Sequence, residues 1–208
     1  MTRSALIVYD AEFLTAPGAP QRFWCGPADP DPLPIQIGAV RLDLRPPFAL
    51  SQPVGWYVRP VDRDGRRVPL DPLVTQLTGI SEPVLEAEAL DLRDALAALD
   101  DFSCGASLVA WGKDELLSFA PALFVRDVVS PIPARRFRSA VPLLVAAGVS
   151  PETVVGLRSN TICAHFGLEG GTAHDARGDA LSVARVLQHL LASGQLRALE
   201  VEKHCMGL

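Results

Sequence analysis

Ala5–Leu6–Ile7–Val8–Tyr9 is apolar at every position, so this stretch reads as a strand whose two faces must both be covered by the rest of the chain. Asp10 and Glu12 follow immediately. Side chains two apart on a strand point to the same face, so if the strand runs on to Glu12 the two carboxylates project side by side from its carboxyl end. Open α/β sheets place their sites at that end. Like charges held together repel unless one is protonated or a cation lies between them, and a divalent cation with oxygen ligands meets that need directly. Taken alone, Asp-x-Glu is so common a spacing that it reads as a strand that ends in solvent.

The 208 residues are 49% hydrophobic, enough for one substantial core, and a single domain over 1–208 is expected. Strands are predicted at Ile35–Leu44 and Val54–Arg59, close enough in sequence to form an antiparallel meander with the first. Leu85, Leu92, Ala95, Leu96 and Leu99 recur at helical spacing across 84–100. A short apolar strand over 106–112 follows, then a helix interrupted near Pro121. Further helices are expected over 139–147, 160–166 and 172–191. The Pro-rich stretch 16–34 reads as a flexible loop and 192–208 as a C-terminal tail. Three early strands followed by strand–helix alternation predict an α/β fold: a mixed β-sheet, part antiparallel meander and part parallel, flanked by helices.

The net charge of −5 excludes a broadly basic surface for nucleic acid. A nucleic-acid enzyme stays open, because an acidic cluster becomes locally positive once it binds cations. Cys25, Cys104, Cys163 and Cys205 form no Cys-x-x-Cys pair and read as reduced thiols. No apolar run reaches the ~20 residues of a membrane span and no signal peptide is recognisable, so a cytoplasmic protein without membrane association is expected. The acids of 86–101 read as the solvated face of a helix. Arg135, Arg136 and Arg138 are the densest basic cluster, either a solvated loop or a guide for a polyanion.

Two later patterns carry polar groups of interest. Asp114 follows the apolar "SLVAWG", where it is either the cap of the next helix or a second acid at a strand end. In "GTAHDARGDALSVARVL", Thr172 and Asp175 resemble a capping box, with His174 at the helix start and Asp179 further in. Five residues are about 140° apart around an ideal helix, so His174 and Asp179 converge only if His174 lies in the preceding loop and folds back.

Apolar strand–Asp-x-Glu, strand–Trp-Gly-x-Asp and His-x-Ala-x-x-Asp opening the last helix, in that order, resemble the DEDD-type 3′–5′ exonucleases of the RNase H-like fold, in the His-containing branch. That superfamily includes proofreading exonuclease subunits, RNase T and oligoribonuclease. "IQIGAV", "YVRP" and "LDPLVTQLTGIS" are similar to the family's second strand, third strand and following loop, and the resemblance covers roughly residues 5–191. It implies that Asp10, Glu12, Asp114 and Asp179 bind two ions of Mg2+ or Mn2+, the metals suited to an all-oxygen site. It further implies that His174 is the general base, a role that imidazoles, titrating near ~6.5, fill well at neutral pH. The implied activity is release of nucleoside 5′-monophosphates from single-stranded RNA or DNA 3′ ends. The implied substrate-binding residues are Phe13, Leu14, Ile80 and Trp111. Leu14 stands where many relatives have threonine, which makes that wall more apolar. Arg22, Phe23 and Trp24 in the long loop read either as a surface flap or as a lid that stacks bases. The resemblance is also compatible with a homodimer, with a catalytically silent module that binds nucleic acid or protein, and with a polymerase-associated proofreading subunit.

Overall fold

The computed structural model describes residues 5–112 and 114–206, without the side chains of 114–118 and 206. Its sheet has five strands: β1 (Ala5–Phe13), β2 (Pro34–Asp43), β3 (Val54–Tyr57), β4 (Leu108–Ala110) and β5 (Phe137–Ser139), in the order β3-β2-β1-β4-β5. β1–β2 and β2–β3 pair antiparallel, whereas β1–β4 and β4–β5 pair parallel. The expected mixed sheet is therefore present, with the meander on one side of β1 and the parallel strands on the other.

Helices cover both faces. On one lie α1 (Pro72–Thr78), α2 (Glu82–Glu88), α3 (Leu92–Ser103) and α4 (Asp114–Val125), whose Val74, Leu85, Leu96 and Phe119 pack on Ile7, Tyr9, Ile37 and Leu108. On the other lie α5 (Val141–Ala146), α6 (Pro151–Gly156), α7 (Ile162–His165), α8 (Ala176–Ala192) and α9 (Ala198–Met206). There Val183, Leu187 and Leu190 of α8 pack on Leu6, Val8 and Val40. This is why β1 is apolar at successive positions: odd residues face one helical layer and even residues the other. Burying both faces removes roughly 25 cal/mol per Å2 of apolar surface from water, the main source of stability here. No helix among the described residues is long and apolar enough to cross a membrane.

Several expected elements differ in detail. The helix foreseen over 84–100 is two helices, because Leu90 leaves helical geometry to bond its amide to the Tyr57 carbonyl and bridge Val58. The stretch 72–78 is helical: the extended cap residue Asp71 accepts from the Leu73 amide and Pro72 takes the first turn, where its missing N–H costs nothing. The helix foreseen over 139–147 is the short strand β5 followed by α5. The basic cluster also divides. Arg136 is buried, donating to the Asp100 carboxylate, the Ser103 hydroxyl and the Ala106 carbonyl, and Arg138 donates to the His204 carbonyl. Only Arg135 of the three is exposed. Residues 16–34 hold a 3-10 turn at Pro20–Arg22 and a network in which Arg22 pairs with Asp29, and the Trp24 indole N–H donates to the Leu14 carbonyl at 3.0 Å.

Candidate active site

β1 stays extended through Phe13, so Asp10 and Glu12 continue the face of Leu6 and Val8, the one covered by α8. Opposite Asp10 in the β1–β2 register is Gly38, and opposite Glu12 is Gln36. A Cβ at Gly38 would overlap the Ala176 carbonyl and the Arg177 amide nitrogen. The absence of a side chain there lets the first turn of α8 seat on β2, which brings Asp179 over the two strand carboxylates.

The result is a cluster of Asp10, Glu12 and Asp179, each offering a carboxylate oxygen within 4.8 Å of the others. Asp10 is 6% exposed and Asp179 4%. Burial pushes the Glu12 carboxyl up to about 7, with the nearby Asp179 and Asp175 charges adding to the effect. Burial also pushes Asp179 up to about 6, against the pull of the His174 backbone amide and ring. Asp179 Oδ1 is one of two buried side-chain oxygens that lack a hydrogen-bond partner among the described residues. A buried, partnerless carboxylate oxygen inside a ring of acids is where a hard cation fits. The donor set, all oxygen, matches magnesium or manganese.

These carboxyls hold their protons to higher pH in the folded, metal-free chain than at their ordinary values of 4.5 and 3.8. Their contribution to stability is therefore full below those ordinary values and is lost as pH rises through about 6 and about 7. A divalent cation competes with those protons, so its stabilising effect grows over the same interval. The gain in Tm on adding Mn2+ is expected to increase steadily between about pH 5.5 and 8, with net proton release on binding. A Tm gain that is flat across that range would show that these carboxyls are not the ligands.

His174 lies before α8, not within it. Its φ is +57°, left-handed, and the helix cap is Asp175, whose carboxylate accepts from the Arg177 amide at 3.1 Å. The capping box expected from Thr172 is therefore replaced by an Asp175 cap, which leaves His174 free to fold back beside Asp179. The loop is pressed onto the helix by paired glycines: a Cβ on Gly171 would overlap Gly178, and one on Gly178 would overlap Thr172. The His174 residue itself is exposed.

The Asp114 side chain lies outside the described residues. The backbone puts it first in α4, just after β4, which runs parallel to β1 and so finishes at the same end of the sheet. Of the residues foreseen for substrate, Phe13 is half-buried, with its ring edge-on to Phe119 at 6.2 Å, and Trp111 is half-buried against the α8 side of the core. Leu14 and Ile80 are 2% and 4% exposed and belong to the packed core on the α1–α4 face of the sheet.

Gln36 and Gly38 were not singled out in sequence as parts of this region. The available signal was a lone amide in "IQIGAV", a strand otherwise apolar on both faces, two residues before a glycine. Gln36 accepts the Ala176 N–H at 2.9 Å and donates to Asp175 Oδ1 at 3.0 Å. Burial pushes the Asp175 carboxyl up, but bonds from Arg177 and Gln36 outweigh it and hold it below the usual range.

No protein-family model matches the chain, and no curated protein sequence matches it. Solved structures do. The nuclease domain of 3'hExo, a DEDDh family member bound to rAMP, superposes with TM-score 0.72 at 17% identity, over 93% of this chain and 95% of that one. A 3′-exonuclease in 3′-end specific recognition of a histone mRNA stem-loop gives TM-score 0.71 at 16% identity, over 95% of this chain and 86% of that one. Exonuclease I of E. coli in complex with a dA16 oligonucleotide gives TM-score 0.56 at 19% identity, with 92% of this chain matching 41% of that protein. A five-stranded β3-β2-β1-β4-β5 sheet, with acids at the end of β1 and at the start of α8, thus has the RNase H-like fold of the DEDDh 3′ exonucleases.

Proposed function

We propose that the protein is a metal-dependent 3′–5′ exonuclease acting on single-stranded RNA or DNA ends and releasing nucleoside 5′-monophosphates. The observation that carries this reading is the convergence of Asp10, Glu12 and Asp179 with His174 beside them, within a fold shared with 3′ exonucleases. Asp10, Glu12 and Asp179, joined by Asp114, would hold two divalent cations. When bound, such ions neutralise the phosphate and stabilise the attacking and leaving oxygens of an in-line displacement.

The chain's own residues do the rest. The exposed His174 ring takes a proton from the water that attacks the terminal phosphorus. The new P–O bond forms as the P–O3′ bond breaks, and the 3′ oxygen leaves with a proton as the end of the shortened strand. Phe13 and Trp111 offer half-buried aromatic faces to the terminal nucleotide, Phe13 packed on the core that includes Leu14 and Ile80. Residues 1–208 form one exonuclease domain of a cytoplasmic protein, with the motifs within 5–191. That the neighbours include complexes with rAMP, an RNA stem-loop and a DNA oligonucleotide supports nucleic acid as the substrate class and leaves the sugar for experiment.

The test uses 5′-labelled RNA and DNA of one sequence, each with Mg2+, Mn2+ or EDTA. The expected result is a ladder that shortens from the 3′ end only when metal is present. If both strands stay intact in every metal while Mn2+ still raises Tm, the protein is a silent module that keeps its ions.

A further inference from the structure

We propose that Gln36 is a positioning residue whose side-chain amide bolts the start of α8 to β2 and so sets the spacing between Glu12 on the sheet and the His174–Asp179 pair at the helix. This rests on the exonuclease reading.

Gln36 is opposite Glu12 in the β1–β2 register, points to the same α8-covered face, and is 3% exposed. Both ends of its amide are used. Oε1 accepts the N–H of Ala176, the first residue of α8 and one of the amides that no helix can satisfy internally. Nε2 donates to Oδ1 of Asp175, the cap residue between His174 and that first turn. Gly38, two residues along on the same face, supplies the seat for the helix backbone, and Gln36 supplies the fastening.

The chemistry at position 36 is narrowly defined. The partner must offer an acceptor to a backbone amide and, beside it, a donor to a carboxylate, which a primary amide does and a carboxylate cannot. Glutamate has the same length and could still accept from Ala176. It would also set a second negative charge against Asp175 at hydrogen-bond distance and add a further acid next to Glu12. An apolar residue would leave the Ala176 N–H buried without a partner. The amide at 36 is thus matched to the acid at 175. Combining Gln36→Glu with Asp175→Asn removes the charge repulsion and keeps an acceptor for Ala176 and a donor facing position 36; because Asp175 Oδ1 also accepts from the Arg177 amide and Nε, recovery is judged against Asp175→Asn alone.

The experiment compares wild type, Gln36→Glu, Asp175→Asn and the double variant. Readouts are kcat and KM on the 5′-labelled strand with Mn2+, the Mn2+-induced gain in Tm, and Tm in EDTA. Gln36→Glu is expected to lower kcat by about 10²-fold, the scale of a 1 Å misplacement, with KM changed by less than about threefold. The double variant should turn over faster than Gln36→Glu and approach the rate of Asp175→Asn alone. Unchanged kcat in Gln36→Glu, or a double variant no better than it, would overturn the assignment. Recovery of Tm in EDTA without recovery of kcat would also overturn it, since Gln36 would then only stabilise the fold. If wild type itself has no turnover, the exonuclease reading fails. The Mn2+-induced Tm gain across the same four proteins then decides the matter: loss in Gln36→Glu with recovery in the double variant upholds the positioning role, and no loss overturns it.

Discussion

Asp10→Asn is expected to abolish metal-dependent degradation while leaving the fold intact. Asparagine keeps the shape of the side chain, and Asp10 occupies the strand end that faces both Glu12 and Asp179 in the cluster. What it removes is one negative charge from a set of three whose oxygens lie within 4.8 Å. Above about pH 7, where Glu12 and Asp179 are ionised, that set is self-repelling without a cation, so at pH 8 the variant should melt in EDTA at the wild-type temperature or above it. With Mn2+ the order reverses: wild type gains stability and the variant gains little. Charge neutralisation by metal is worth several kcal/mol in the transition state, so at ~1.4 kcal/mol per tenfold the turnover should fall by roughly 10³-fold or more. The two measurements together separate lost chemistry from lost folding. A variant that melts early in EDTA would report a structural role for Asp10, and one that degrades RNA or DNA at the wild-type rate would remove Asp10 from the site.

Parts of this site were legible because they obey a short-range period. An extended chain alternates faces, so Asp10 and Glu12 must share one wherever the sheet is placed. The angle between positions 174 and 179 on a helix likewise required His174 to leave it, and the left-handed φ of +57° is how the chain does so. Parts set by distant partners were not legible. Arg136 reads as one of a charged run, yet it is buried because Asp100, Ser103 and the Ala106 carbonyl, all far away in sequence, satisfy its guanidinium. Leu90 interrupts a continuous helical pattern because an edge-strand carbonyl, that of Tyr57, competes for its amide. Strand β5 is three residues long and hidden in the same basic run; its pairing with β4 is a property of the sheet. Gln36 belongs to this second class. Its neighbours in sequence say only that it is in a strand, and its two partners are at Asp175 and Ala176.

His174→Ala is expected to keep metal binding and lose most of the turnover. The residue stands in a loop clamped by the Gly171–Gly178 contact, exposed and close to Asp179. It offers no ligand to the carboxylate cluster of Asp10, Glu12 and Asp179, so the Mn2+-induced rise in Tm should survive its removal. Losing a positioned general base costs typically 10²–10⁴-fold, which sets the expected fall in kcat at about that size. A complication is backbone conformation, because alanine is less at ease than histidine at φ +57° and a shifted loop would also slow the reaction. Asparagine resolves this: it tolerates the left-handed region well and carries no group that accepts a proton at neutral pH. If His174 acts as the base, alanine and asparagine variants should be equally slow under conditions in which Mn2+ still raises their Tm. Recovery of turnover in the asparagine variant would assign the effect to loop geometry, and wild-type rates in both would place the base elsewhere.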